Sequence, residues 1–305
     1  MNRRPAVRGA RSSLVSVALT AATAALLSGG CGGPSGPARE PIREITAGEQ
    51  ALLARTEALL VSRCMQQHGF RYDAPPAAEP AVREFRYVVD DVAWAREHGY
   101  GTRDRRRLAE AADASPVQQY FKSLPPERQQ AARAALHGER PTGLSVTLPG
   151  GARLTSSDSS CTAEAQRLLY RDLPRWFEAR TVVANLAPLY GSQVEQDSRF
   201  TAAAAQWAAC MADAGHPYPT PGAIQNALPE LTAGLAPSQA DALEVELATA
   251  EAECATRTGL AATARELDGF YGNQVRERYR AELDSRLRLQ LEALSRVDSL
   301  TEPTS

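Results

Sequence analysis

Apolar positions along this chain recur mostly at three- and four-residue intervals, the spacing of one face of an α-helix. Thr46 and Glu49 have capping-box spacing. They predict a helix running to about His68, with Leu52, Leu53, Thr56, Leu59, Leu60 and Cys64 on one stripe and Gly69 as its left-handed stop. The segment 73–80 reads as a loop, and Phe85–Val89 as a short strand or the start of a helix ending at His98. Ser115 before Pro116 predicts a helix start, with an end near Leu124; Pro125 and Pro126 open another that stops at Gly138. Between Leu144 and Thr155 the period changes to two, around Pro149, Gly150 and Gly151, which predicts one small β-hairpin.

From Cys161 to Gly215 the helical pattern is nearly continuous, with breaks expected near Pro174 and Pro188. Asp197 or Ser198 is placed to cap the helix that carries Trp207 and Cys210. Residues 217–237 read as a loop-rich connection with a short helix at Ile224–Leu228. Ser238 is placed to cap a helix through Cys254, with Gly259 and Gly269 as candidate interruptions. Val275, Tyr279, Leu283, Leu287, Leu291 and Leu294 then predict one long C-terminal helix over 272–297. The fold class expected is all-α, with at most one small hairpin.

The first 45 residues follow other rules. Arg3, Arg4, Arg8 and Arg11 precede an apolar run from Leu14 to Leu27, too short to cross a bilayer comfortably as a helix. A basic start, an apolar middle and small residues after it form the pattern of a bacterial export signal. Leu27, Ser28, Gly29, Gly30 and Cys31 resemble a lipobox, with Ser28 where Leu is usual and Leu27 one place earlier. That resemblance implies a signal peptide over 1–30 and lipidation of Cys31, which would anchor the chain to the bilayer through acyl chains. The alternative is ordinary secretion with Cys31 as a spare thiol. Residues 31–45, rich in Gly and Pro, then serve as a tether.

Four further cysteines remain: Cys64, Cys161, Cys210 and Cys254. An even number in an exported chain implies disulfides. Spacing alone leaves three pairings open, but a short internal repeat favours one of them. Cys64, Met65, Gly69 and Tyr72 recur in register as Cys210, Met211, Gly215 and Tyr218, and Pro75 matches Pro221. Each copy is followed later by one more Cys. The economical arrangement is two related halves, 46–187 and 188–305, stapled by Cys64–Cys161 and Cys210–Cys254.

The phrase C-M-x-x-x-G-x-x-Y-x-x-P is similar to one found in a group of uncharacterised secreted proteins and lipoproteins of actinobacteria. The stretches Cys161–Ala165, Leu169–Tyr170 and His98–Gly101 are similar to further phrases of that group. The resemblance implies an exported, disulfide-stapled helical protein. It brings no assigned activity.

Composition narrows the function classes. Hydrophobic residues make up 43% and charged ones 23%, with a formal net charge of -2, which suits a globular chain. Loss of residues 1–30, with four Arg and no acid, would take that charge to -6. Nucleic acid is not an expected partner, because no basic excess exists to neutralise phosphates. Of 34 basic side chains only Lys122 is Lys.

No motif announces catalysis or a cofactor. His68, His98, His137 and His216 form no paired metal spacing, and no haem-attachment, nucleophile-elbow or phosphate-loop phrase occurs. His98 and His137 each precede a Gly, as suits helix ends. Asp90, Asp91, Glu97, Asp104, Glu164, Asp172 and Glu178 are carboxylates from which a hydrolytic pair is conceivable. The sequence therefore predicts a lipid-anchored protein on the outer face of the bacterial membrane that binds or scaffolds an envelope protein or a cell-wall component. A carboxylate-dependent cell-wall hydrolase, with its acids in 90–104 or near Asp172, is the alternative.

Overall fold

The computed structural model describes residues 42–73 and 83–302. Cys31, the export signal, most of the tether and most of the 73–80 loop lie outside the described residues. The first element, α1 (Ala47–Gln67), begins with a complete capping box: Glu49 N–H donates to Thr46 Oγ1 (3.2 Å), and Thr46 N–H donates to Glu49 Oε2 (2.8 Å). Four helices follow: α2 (Val92–His98), α3 (Thr102–Asp113), α4 (Pro116–Ser123) and α5 (Pro126–His137). The antiparallel hairpin β1 (Gly143–Thr147) and β2 (Arg153–Ser157) pairs Ser145 with Thr155. It leads to α6 (Cys161–Tyr170), α7 (Leu173–Ala184), α8 (Pro188–Gln196) and α9 (Ser198–Asp213). The chain then forms α10 (Pro221–Leu231), α11 (Pro237–Arg257), α12 (Leu260–Arg278), α13 (Arg280–Leu294) and α14 (Val297–Thr301). No helix among the described residues is long and apolar enough to cross a membrane.

Among the described residues the protein is all-α with one two-stranded hairpin, and two disulfides staple it as Cys64–Cys161 and Cys210–Cys254. The bridges close loops of 97 and 44 residues. On the loop-closure model each stabilises the fold by about 4–5 kcal/mol.

Several boundaries differ from the sequence pattern, each for a local reason. The C-terminal pattern is three helices, broken at Tyr279 (φ -106°, ψ 27°) and again after Leu294. Its apolar stripe continues across the break, so spacing alone gave no warning. Gly259 (φ 77°) separates α11 from α12, while Gly269 lies within α12. Ser238 is already inside α11; Ala236 is the cap, and Gln239 accepts its N–H. Residues 83–90 are neither strand nor helix, and Asp91 caps α2. The break before α7 falls at Arg171, a non-glycine residue at φ 66°, and Pro174 sits in the first turn of α7.

The buried side chains form two clusters. One gathers Leu53, Leu60 and Met65 of α1, Ala165 and Leu169 of α6, and Trp176 of α7. The other is centred on Trp207, Met211, Ile224, Leu260 and Leu267, all but inaccessible. The sequence division at 187/188 does not follow this partition. Val88, Val89, Ala95 and Tyr100 of the first half are buried in the second cluster, where α2 packs on α11. Leu289, Ala293 and Val297 of the second half are buried in the first cluster, where α13 packs on α7, α6 and α1. Polar contacts pin the exchanged C-terminal arm. Arg63 donates to the carbonyls of Leu300 (2.6 Å) and Thr301 (3.1 Å), satisfying the end of α14. Arg296 donates to Leu169 O (2.7 Å), and Arg175 Nε donates to Ser285 Oγ (2.7 Å).

Candidate functional site

The internal repeat is a structural device. At the end of α1, Gly69 N–H donates to Gln66 O and Phe70 N–H to Met65 O; at the end of α9, Gly215 N–H donates to Ala212 O and His216 N–H to Met211 O. Both are Schellman turns, and both need a residue free to adopt positive φ: Gly69 at 76° and Gly215 at 88°. The Met of each copy is buried. The preceding Cys reaches a second helix, α6 in one copy and α11 in the other. Tyr72 and Tyr218 are half-buried, and each is packed beside the core of its own half.

The surroundings of the two bridges differ. Cys64, with the buried Cys161 behind it, stands at the wall of an open cleft of about 840 Å³ between the end of α1, α5 and the start of α6. Ser160 caps α6 there, accepting from Ala163 N–H (3.1 Å), so the positive end of the helix dipole faces the cleft. Arg128, Arg140 and Arg167 line it together with His68, Glu139 and Glu164. Arg128 donates to Gly69 O (3.1 Å) and lies over the Phe70 ring (4.4 Å). Arg167 donates to Asp158 O (2.6 Å). None of the three guanidiniums forms an ion pair among the described residues. Three Arg against two Glu give the cleft a positive balance on a chain whose net charge is negative.

A second feature is a buried acid. Glu251 of α11 is 1% exposed and lies at the wall of a cavity of about 300 Å³ beneath the 83–89 segment. Its Oε1 accepts from Val89 N–H (2.8 Å) and its Oε2 from Tyr100 O–H (2.7 Å). Its own carbonyl accepts from Trp207 Nε1 (3.2 Å). Burial pushes its carboxyl up to about 7, against the two donors, which favour the charged form. The same burial raises the Tyr100 phenol far above its ordinary value, and the Glu251 charge adds to it. The sequence carried a signal for this acid: Glu244 and Glu251 fall on the stripe formed by Leu247, Ala248, Ala252, Cys254 and Ala255.

The carboxylates singled out in the sequence are dispersed. Asp90 pairs with Arg265 and Arg83; Asp91 caps α2 through Trp94 N–H (3.0 Å) and also pairs with Arg83. Asp104 Oδ2 lies 2.7 Å from His98 Nδ1, and Glu97 stands on the surface, 3.6 Å from the same ring. Asp172 caps α7 through Arg175 N–H (3.0 Å), and Glu178 pairs with Arg175 (3.3 Å). Only Glu164 faces the cleft, 3.5 Å from Cys64 Sγ. His98 and His137 close α2 and α5; His98 also stacks on Trp94 at 3.9 Å between centroids. His216 approaches Glu246 (3.6 Å), whereas His68 faces the cleft.

Comparison with models of protein families, with curated proteins and with solved structures finds no match to this chain.

Proposed function

We propose that this is a bacterial envelope protein, held to the outer face of the membrane by acylated Cys31, whose folded body binds an anionic, hydrophilic partner. The observation that carries the binding reading is the open cleft lined by Arg128, Arg140 and Arg167, three guanidiniums without carboxylate partners among the described residues. Guanidinium forks fit carboxylate and phosphate oxygens, and the start of α6 adds favourable dipole. Two bridges closing long loops support an oxidising compartment outside the cytoplasm. The basic start of the chain, its short apolar run and the lipobox-like Ser28–Cys31 support the anchor. Glu251 is the acid whose carboxyl is raised among the described residues, but Val89 and Tyr100 occupy both its oxygens. That favours binding over the hydrolase alternative.

The test is titration of the protein, bridges intact, with phosphodiester polymer, carboxylated glycopeptide and neutral glycan. Binding to an anionic probe that weakens with salt, and drops about tenfold in Arg140→Ala and again in Arg167→Ala, is the expected result. Equal affinity for the neutral glycan, or no response to either substitution, removes the cleft from the function. The mass of the N-terminal peptide tests the address separately: a diacylglyceryl Cys31 supports the anchor, and an unmodified thiol supports free secretion.

A further inference from the structure

The two bridges share a backbone but not their neighbours. His68 stands four residues after Cys64, one helical turn along the same face. In the second copy the position four residues after Cys210 is Ala214. Glu164 stands three residues after Cys161, and its carboxylate lies 3.5 Å from Cys64 Sγ. Three residues after Cys254 stands Arg257, whose guanidinium lies against both sulfurs, 3.3 Å from Cys254 Sγ. Beside the first bridge thus stand a nitrogen and an oxygen donor, with Arg128, Arg140 and Arg167 elsewhere on the cleft wall; directly against the second stands a guanidinium, with no such donors.

At the first bridge Cys64 Sγ, Cys161 Sγ and a ring nitrogen of His68 all lie within 4.8 Å of one another. In a tetrahedral zinc site the ligand atoms stand about 3.3–3.8 Å apart, from metal–ligand distances of about 2.0–2.3 Å. Reaching that spacing requires the two sulfurs to separate once the bridge is opened, and His68 and Glu164, both exposed at the cleft, to turn toward them. Cys161 is the first residue of α6, where the helix dipole favours a thiolate.

We propose that the Cys64–Cys161 pair, once reduced, is a binding site for a thiophilic divalent cation such as Zn²⁺, with His68 and Glu164 as third and fourth ligands, and that the disulfide is the closed state of this site. A dithiol supplies the two electrons: its sulfurs become a disulfide, and Cys64 and Cys161 become two thiols. Binding of the cation then displaces two thiol protons, so metal uptake is linked to both reduction and pH. The Cys210–Cys254 pair, with Arg257 against its sulfurs, does not form such a site. This inference does not depend on the cleft binding an anion, because that test uses the oxidised protein and this one the reduced protein.

The experiment is Co²⁺ titration of the full chain before and after reduction by a phosphine, which is then removed. The expected result is one equivalent of Co²⁺ on the reduced protein, with thiolate-to-metal charge transfer and tetrahedral d–d absorption, and none on the oxidised protein. Zn²⁺ should displace it. His68→Ala should weaken binding at least tenfold, and Glu164→Gln several-fold; both residues are exposed, so neither variant threatens folding. Equal affinity in the double variant overturns the proposal, including the case in which reduction unfolds the chain and free cysteines bind the metal. Two equivalent sites, or no site, overturn it as well.

Discussion

Glu251→Gln separates the effect of a buried charge from that of a buried shape. The carboxyl is 1% exposed and raised from 4.5 to about 7 by burial. Below pH 4.5 the acid is neutral in both folded and unfolded chains, and its contribution to stability is fully present. As pH rises the unfolded chain ionises first, and that contribution is lost by the time the folded acid ionises near 7. At about 1.4 kcal/mol per pH unit, the interval amounts to about 3 kcal/mol. Glutamine copies the neutral acid: Oε1 keeps the Val89 N–H, and Nε2 donates to the Tyr100 oxygen once that hydroxyl, which donates to Oε2 in the parent, turns away. The variant should therefore match the parent near pH 4.5 and exceed it by about 3 kcal/mol at pH 8. Urea unfolding with bridges intact, followed by Trp fluorescence at four pH values, measures the difference. A stability gap that stays constant from pH 4.5 to 8 would refute the reasoning, since it would mean that Glu251 does not titrate in this interval.

Three other outcomes follow from local geometry. Arg171→Gly should raise stability by up to about 1 kcal/mol, because Arg171 holds φ 66° without a polar side-chain partner among the described residues; thermal unfolding reads it, and a loss would show the conformation to be unstrained. Gly143→Ala should cost about 2 kcal/mol or more, since its φ is 100° and a Cβ there would run into the Asp158 carboxylate; a wild-type urea midpoint would contradict this. Residues 42–187 and 188–305 expressed separately should each fail to unfold cooperatively. The first lacks Leu289, Ala293 and Val297 over its core, and the second lacks Val88, Val89 and Tyr100; cooperative calorimetric transitions in both pieces would show that the exchange is dispensable.

The helices were legible in the sequence because their ends are written in local chemistry. Thr46 with Glu49, Ser115 with Pro116, and the glycines at 69, 138 and 215 act within one turn and need no tertiary partner. The disulfide pairing was legible through the repeat, whose conformational requirement at Gly69 and Gly215 survives divergence around it. What the sequence could not convey is contact across long separations. Neither α2 on α11 nor α13 on α6 and α7 leaves a periodic trace, since an apolar stripe does not name its partner. The cleft was hidden for the same reason: Arg128, Arg140 and Arg167 are ordinary in sequence and are brought together by the packing of α5 on α6. Glu251 was detectable as an acid on an apolar stripe, but its partners, 151 and 162 residues away, were not.

The repeat explains why one bridge is free to carry chemistry and the other is not. A Schellman turn and a Cys at a fixed offset are backbone requirements, and they hold in both copies. The positions four residues after the first Cys and three after the second make no such demand: the backbone is helical or capping at each, whatever the side chain. Divergence there changes the environment of the sulfurs without disturbing the fold. The second bridge sits within the larger cluster, where Arg257 covers its sulfurs, and its role is to hold α9 to α11. The first is buried in the smaller cluster and borders the cleft through Cys64, with His68 and Glu164 beside it. α13 and α14 also clamp α1 to this region through Arg63, Leu289 and Val297, so the covalent bond is not the sole contact that holds the two helices. Since α12 packs likewise on both α9 and α11, the two bridges are set apart by the side chains beside their sulfurs, His68 and Glu164 at the first and Ala214 and Arg257 at the second.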